Sequence, residues 1–358
     1  MALSPNYGWT EPDNTGLVKN GAQDMRTLGD AIDTSVWNVG FGQAGKNKII
    51  NGDFGIWQRG TSFTNPNGVY LADRWTCGVD VAIPTWTISR QTFTPGTAPV
   101  AGYESQYFLR AAVTAIGTST AQYLLQKIED VRTFAGQNVT VSFWAKFDTT
   151  RNLALEYQQI FGSGGSTTVT GTISASVSVT NTWARYSVTF TLPSVSGKTI
   201  GAGSSLSIAV KTPAANYTLD LWGFQLERGS KATPFQTASG GSPQAELAMC
   251  QRYYYSHVSG SGQPVSGGWN YTTTDMRTYI KFPVTMRISP TTVASSGTNF
   301  YTFERAGAGD DFNSFNGVRS STNGIVLNNS SEISGTAGQS GEIFTSNASS
   351  SIAFNSEL

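Results

Sequence analysis

Chemistry in this chain would have to come from a small set of residues. There is one histidine, His257, so no relay or metal cluster can be built on imidazole within one copy. Its Gly/Ser-rich neighbourhood reads as a surface loop. Two carboxylate pairs stand out, Glu129–Asp130 and Asp310–Asp311. A glycosidase sets two carboxyls across a sugar, and neighbours on an extended strand point to opposite faces. Neither pair is a ready-made acid/base site. Cys77 and Cys250 are far apart and lack metal-ligand spacing, so both read as buried small hydrophobes. The run Gly40-Phe41-Gly42-Gln43-Ala44-Gly45 matches a nucleotide-binding pattern. It follows a helix and precedes a strand, the reverse of the required order, and reads as a joint. What remains is aromatic: 12% of the chain, with nine tryptophans, among many Asn and Gln residues. Such side chains bind rather than react, and sugars suit them, offering apolar faces and hydroxyl rims.

Composition points the same way. Charged residues make up 13%, about half the usual share. Lys+Arg and Asp+Glu balance at 23 each, which argues against nucleic acid. No apolar run approaches the ~20 residues that span a bilayer, and MALSPNYGW lacks the pattern of a secretory leader.

The elements that would carry the aromatics are mostly strands. Val139, Val141, Phe143, Ala145 and Phe147 alternate with polar residues, as do Tyr186, Val188, Phe190 and Leu192, and then Leu206, Ile208 and Val210. Strict alternation predicts sheets with one buried face, and their spacing predicts a two-sheet jelly roll. Trp144, Trp222 and Trp86 are candidate sugar platforms; the first two fall on the polar faces of their strands. The competing reading puts them in a core or between subunits. Upstream, Met25, Leu28, Ile32, Val36 and Val39 recur at helical spacing, with Asp24 placed as a cap and Gly40 and Gly42 as stops. So short a helix needs partners. A parallel three-helix bundle or its own β domain would supply them.

NKIINGDFGIWQRGTSF and YLADRW (47–75), YLLQKIEDVRTFAGQNVTVSFWAKF (123–147), TWARYSVTFTLPS (182–194) and LDLWGFQLERGSKATPFQ (219–236) together resemble the carbohydrate-binding-module-like jelly roll of phage tail proteins. PQAELAMCQRYYYSH, followed by a Gly/Ser spacer and FPVTMRISP (243–290), resembles phage tail-fibre and tail-tip proteins. The expected fold is therefore mainly β: an N-terminal arm and short helix (1–45), a β-sandwich jelly roll (46–237), a hinge with a short helix opened by Pro243 (238–267), and a small C-terminal β domain (268–358).

The resemblance implies a non-enzymatic virion protein, a homotrimer anchored to tail or baseplate through residues 1–45. It would act outside the cell on host surface polysaccharide or another receptor, without entering a membrane. It also implies that the distal domain contributes to recognition, which adds Trp269, Tyr271, Tyr279, Phe300, Tyr301 and Phe303. The adjacent Tyr253, Tyr254 and Tyr255 read as core or interface. Related jelly rolls hold Ca²⁺, and Asn51, Asp53 and Asp220 stand at the matching places. Two carboxylates fall short of the six to eight oxygens that ion takes. The alternative has Asp53 capping a turn and Asp220 paired with an arginine such as Arg74. Beyond adhesion, a purely structural adaptor and a depolymerase remain. The latter is disfavoured by the missing β-helix repeats.

Overall fold

The computed structural model describes residues 2–4, 9–11, 20–41, 45–100 and 103–358, and the backbone alone for 2–3 and 34–41. The chain is mainly β. Two short strands, β1 (Ala2–Leu3) and β2 (Thr10–Glu11), pair ahead of helix α1 (Gly21–Phe41). The helix begins three residues before the expected cap, so Asp24 lies inside its first turn, facing the positive end of the helix dipole. Met25 and Ile32 are exposed and Leu28 is half-buried. The side chains of Val36 and Val39, and residues 42–44, lie outside the described residues.

The alternating strands form two facing sheets. One runs β11 (Ala184–Thr191), β8 (Asn138–Phe147), β13 (Tyr217–Arg228), β6 (Tyr107–Ala115), β5 (Thr85–Thr92), β3 (Ser62–Thr64). The other runs β10 (Val169–Val179), β9 (Arg151–Ile160), β12 (Ser205–Thr212), β7 (Gln122–Glu129), β4 (Trp75–Val79). Pairing is antiparallel throughout. The inward residues of β8 named above, with Leu206, Ile208, Val210, Leu219 and Leu221, close one core between the sheets. Within β13 a bulge after Trp222 shifts the register, so Phe224 and Leu226 continue the buried row. Gly223 makes this bulge possible. Its φ is +63°, and a Cβ there would lie 2.6 Å from the Trp144 ring.

Helix α2 (Pro243–Gln251) begins with Ser242 accepting from Ala245 N and Pro243 in the first turn. The segment after α2 is strand rather than hinge. Strand β14 (Tyr254–Ser259) pairs with β23 (Ser351–Asn355), which also pairs with β17 (Thr291–Ala294). A seven-stranded sheet packs over them in the order β19 (Ala308–Phe312), β18 (Tyr301–Arg305), β22 (Ser340–Thr345), β15 (Pro264–Asn270), β16 (Met276–Lys281), β21 (Gly324–Asn329), β20 (Asn316–Ser320). Their shared core holds Met276, Ile280, Tyr301, Phe303, Ile343 and Phe354. Residues 254–267 thus belong to the distal unit, because their backbone bonds are made there.

The two β units are bolted together by the segments that looked like a jelly-roll signature. Gln58 donates to Tyr254 O (2.8 Å) and accepts from Ser256 N (3.1 Å). Arg59 stacks on Tyr254 (3.6 Å) and pairs with Glu357 (3.1 Å). Arg74, 1% exposed and left-handed at φ +71°, pairs with Glu357 and lies 3.5 Å over the Tyr253 ring. Arg252 meets Glu129 at 3.0 Å, and Arg287 holds the carbonyls of Ser356 and Glu357 at 2.7 Å each. The three tyrosines therefore serve the junction and the distal core. The carboxylate pairs are spent on structure: Glu129 at this junction, Asp130 on Arg132, Asp310 on Arg305, Asp311 accepting from Thr302.

Candidate functional site: an outward aromatic face on the distal unit

Two aromatic groups lie outside the jelly-roll core, and they differ in access. The first sits on the outer face of the six-stranded sheet, where Trp144 and Trp222 were expected. Both are there, and both are covered. The segment 93–106, described except at 101–102, folds over them with Phe93 and Tyr103, and Phe235 closes the side. Trp222 is 0% exposed and donates its indole N–H to Ser105 Oγ at 2.6 Å. Trp144 takes the Arg185 guanidinium 4.5 Å over its ring. Neither offers a free face. Trp86 belongs to the core between the sheets and donates to Pro66 O; it shares the inward face of β5 with Ile88, two residues on. Tyr301, Phe303 and half-buried Phe300 likewise pack in or against the distal core, so Tyr301 is no sugar platform.

A polar cleft of about 430 Å³ opens beside this lid, lined by Asp53, Tyr103, Glu104 and Tyr107 among others. Burial, and then the Glu246 carboxylate, push the Asp53 carboxyl up to about 6, against the Gly55 N–H that it accepts. Glu246 is itself held by the N–H groups of Asn51 (2.6 Å) and Ser239 (2.8 Å). The cleft has no free ring: Tyr103 packs on Trp222 and Phe235, and Arg90 covers Tyr107 at 4.2 Å.

The expected calcium set does not assemble. Asp220 is gripped through both oxygens by Arg110 (2.7 and 2.9 Å), with Lys146 at 3.5 Å. Asn51 is fully buried and spends its amide on Ile56 and Asp73. Among the described residues no three His, Cys, Asp or Glu side chains stand close enough to hold a metal. Asp53 does cap a turn, but the arginine beside Asp220 is Arg110; Arg74 is occupied at the junction. His257 is not a loop residue either. It lies in β14, half-buried, with Nδ1 2.9 Å from the Tyr255 hydroxyl and Nε2 2.7 Å from Val265 O. Burial lowers its pKa, and both ring nitrogens are taken up by contacts within the fold, which makes it a structural histidine. Both cysteines are free and buried.

The second aromatic group is open. Met276, Thr278 and Ile280 of β16 face the core, so Arg277, Tyr279 and Lys281 face out. Register places Trp269 opposite Arg277, Val326 opposite Tyr279, and Arg319 opposite Val326. Trp269 is 36% exposed, Tyr279 50%, and Tyr271 at the head of the β15–β16 turn 55%. Glycines clear the surface between them. A Cβ on Gly267, the outward residue two before Trp269, would meet only the Gly341 carbonyl oxygen at 3.9 Å, and Gly324 lets the Tyr279 ring lie across the sheet against it. The turn is pinned. Arg277 pairs with Asp275 at 2.9 Å and lies 3.5 Å over the Tyr271 ring, while Asn328 donates to the other Asp275 oxygen at 2.9 Å. One ring face of Tyr271 is therefore occupied and its position set. Across Gly267 stand Glu342 and, opposite it, Glu304, both exposed. Three partly exposed rings and two exposed carboxylates share one outward surface.

Trp269 and Tyr271 were legible from the sequence. Arg277, Lys281, Arg319 and the role of Gly267 were not singled out, although the alternation in MRTYIK already sorts Arg277 and Lys281 outward.

No family model matches the chain, and no curated protein matches it. Among solved structures, a tailspike enzymatically active domain of bacteriophage CBA120 is similar at 17% identity over 51% of this chain, TM-score 0.35. The match spans only 22%, about a fifth, of that protein. The CBM22-1 xylan-binding domain of Paenibacillus barcinonensis Xyn10C is 15% identical over 48% of this chain and 94% of its own length, TM-score 0.30. A cyclase from Fischerella sp. TAU is 11% identical over 53% of this chain and all of its own, TM-score 0.35. Likenesses this distant leave function to the chain's own residues.

Proposed function

We propose that this chain is a non-enzymatic glycan-binding protein of a phage tail, and that the distal face of Trp269, Tyr271 and Tyr279 is its sugar-binding surface. The observation that carries this reading is the exposure of three aromatic side chains on one outward surface, with Gly267 keeping the space between them open. Sugar rings stack on such side chains, and hydroxyls find acceptors in Glu342 and donors in Asn328. The jelly roll and the ion-paired junction then serve as a stiff support, since a platform must keep its shape to bind.

The virion role rests on the resemblance of the sequence motifs to tail-fibre proteins. The exposed Met25 and Ile32 of α1 suit a helix that joins two other copies, and three weak sites in one particle would bind by avidity. Among the described residues no helix is long and apolar enough to cross a membrane.

The test is glycan-array and surface-polysaccharide binding by the full chain, with its mass measured in solution. Trp269→Ala and Tyr279→Ala should each weaken binding about tenfold or more, as truncation of central interface aromatics does. Full binding by the double variant would overturn the assignment of this face. Binding to no surface glycan at all, with assembly lost instead, would favour the adaptor role.

A further inference from the structure

Charge on the distal face is not evenly spread. After Tyr253 the chain has five cations: Arg277, Lys281, Arg287, Arg305 and Arg319. Three are consumed within the fold. Arg277 is paired with Asp275, Arg305 with Asp310, and Arg287 holds the Ser356 and Glu357 carbonyls. Lys281 and Arg319 are exposed, and among the described residues their side chains have no ion pair or hydrogen bond.

Both free cations flank the same ring. Lys281 is the next outward residue after Tyr279 on β16, about 6.7 Å along the strand. Arg319 lies on the Tyr279 row, two strands away through Val326, about 9.6 Å across the sheet. The free carboxylates, Glu342 and Glu304, stand on the opposite side, beyond Gly267. These two glutamates are direct cross-strand neighbours without a cation between them, an arrangement that costs stability. The face therefore has a positive edge, an aromatic centre and a negative edge.

We propose that, granted the glycan-binding reading above, the ligand is an acidic polysaccharide whose sugars bear carboxylates. A hexuronate stacked on Tyr279 carries its carboxylate on the ring itself, within reach of Lys281 on the adjacent step. Arg319 receives the next acidic group or the same one in a turned ring. The hydroxyl-rich side then points to Glu342, which accepts from hydroxyls and repels a second carboxylate, so the chain binds in one orientation. Ion pairs of this kind at an exposed edge are screened by salt.

The experiment uses the full chain against three immobilised polysaccharides of like length: a polyuronate, a neutral glucan and a phosphate-bearing glycan. The polyuronate should bind roughly tenfold tighter than the neutral glucan at low ionic strength, and the margin should shrink as salt rises. The double variant Lys281→Gln/Arg319→Gln should bind the polyuronate more weakly and with a flatter salt dependence. Lys198→Gln, on the jelly roll, should bind as the unchanged chain does. Thermal melts of each variant check folding. Equal binding of polyuronate and neutral glucan, with both lost in Tyr279→Ala, overturns the charge inference and leaves the glycan-binding reading standing. A preference for the phosphate-bearing glycan overturns the choice of carboxylate. No binding to any of the three overturns both readings.

Discussion

The outer face of the jelly roll and the outer face of the distal sheet use the same materials to opposite ends. On the first, Trp144 and Trp222 are roofed by Phe93, Tyr103 and Phe235, and an arginine closes the remaining ring. On the second, Trp269 and Tyr279 have glycines for neighbours and solvent above them. An outward position in a strand is thus only half of a binding site. The other half is what the connecting segments do. The β5–β6 connection folds back over its sheet, whereas the β15–β16 turn is tied sideways by the Asp275–Arg277 pair and leaves its sheet bare.

The largest test of this contrast is truncation on both sides. Trp222→Ala should cost about 3–5 kcal/mol of stability in urea unfolding and leave polysaccharide binding intact. Trp269→Ala, at a side chain 36% exposed, should cost clearly less, about 1 kcal/mol. Equal stability losses would erase the distinction between a covered and an open group.

The next test uses pH. Asp53 lies near Tyr103 of the roof, and its carboxyl is raised from 3.8 to about 6 by burial and by Glu246. In that window the folded chain keeps a proton that the unfolded chain has lost. Stability therefore falls as pH climbs from about 4 to about 6 and levels off above, by up to about 3 kcal/mol. Asp53→Asn should remove this slope and raise the melting temperature at pH 7. An unchanged pH profile in the variant would show that another group carries it.

The smallest effect on the fold should come from Gly267→Val. Position 267 is extended and a Cβ there meets only the Gly341 carbonyl oxygen at 3.9 Å, so unfolding should shift by roughly 0.5 kcal/mol or less, while the added bulk beside Tyr279 lowers glycan affinity. Unaltered affinity would mean that sugar does not lie over position 267.

The period-two alternation made the jelly roll readable, because each β8 residue predicted to face inward does so. The distal strands were readable for the same reason, down to MRTYIK. Burial of the outward tryptophans was not. It depends on a loop that returns across the sheet, and nothing in the local pattern of Trp144 or Trp222 reports that roof. The junction was equally hidden. Gln58, Arg59 and Arg74 looked like part of a jelly-roll motif, yet their partners Tyr254, Tyr253 and Glu357 lie about 180 to 300 residues onward. Trp86, by contrast, follows the alternation: it shares the inward face of β5 with Ile88, so its burial was legible.

The Arg74–Glu357 pair has a consequence for how the protein comes into being. The two residues are 283 positions apart, and a guanidinium shut away from water is costly until its counter-charge is present. Before Glu357 is in place, Arg74 lacks that counter-charge, so the sandwich gains its full stability only once the distal unit has docked.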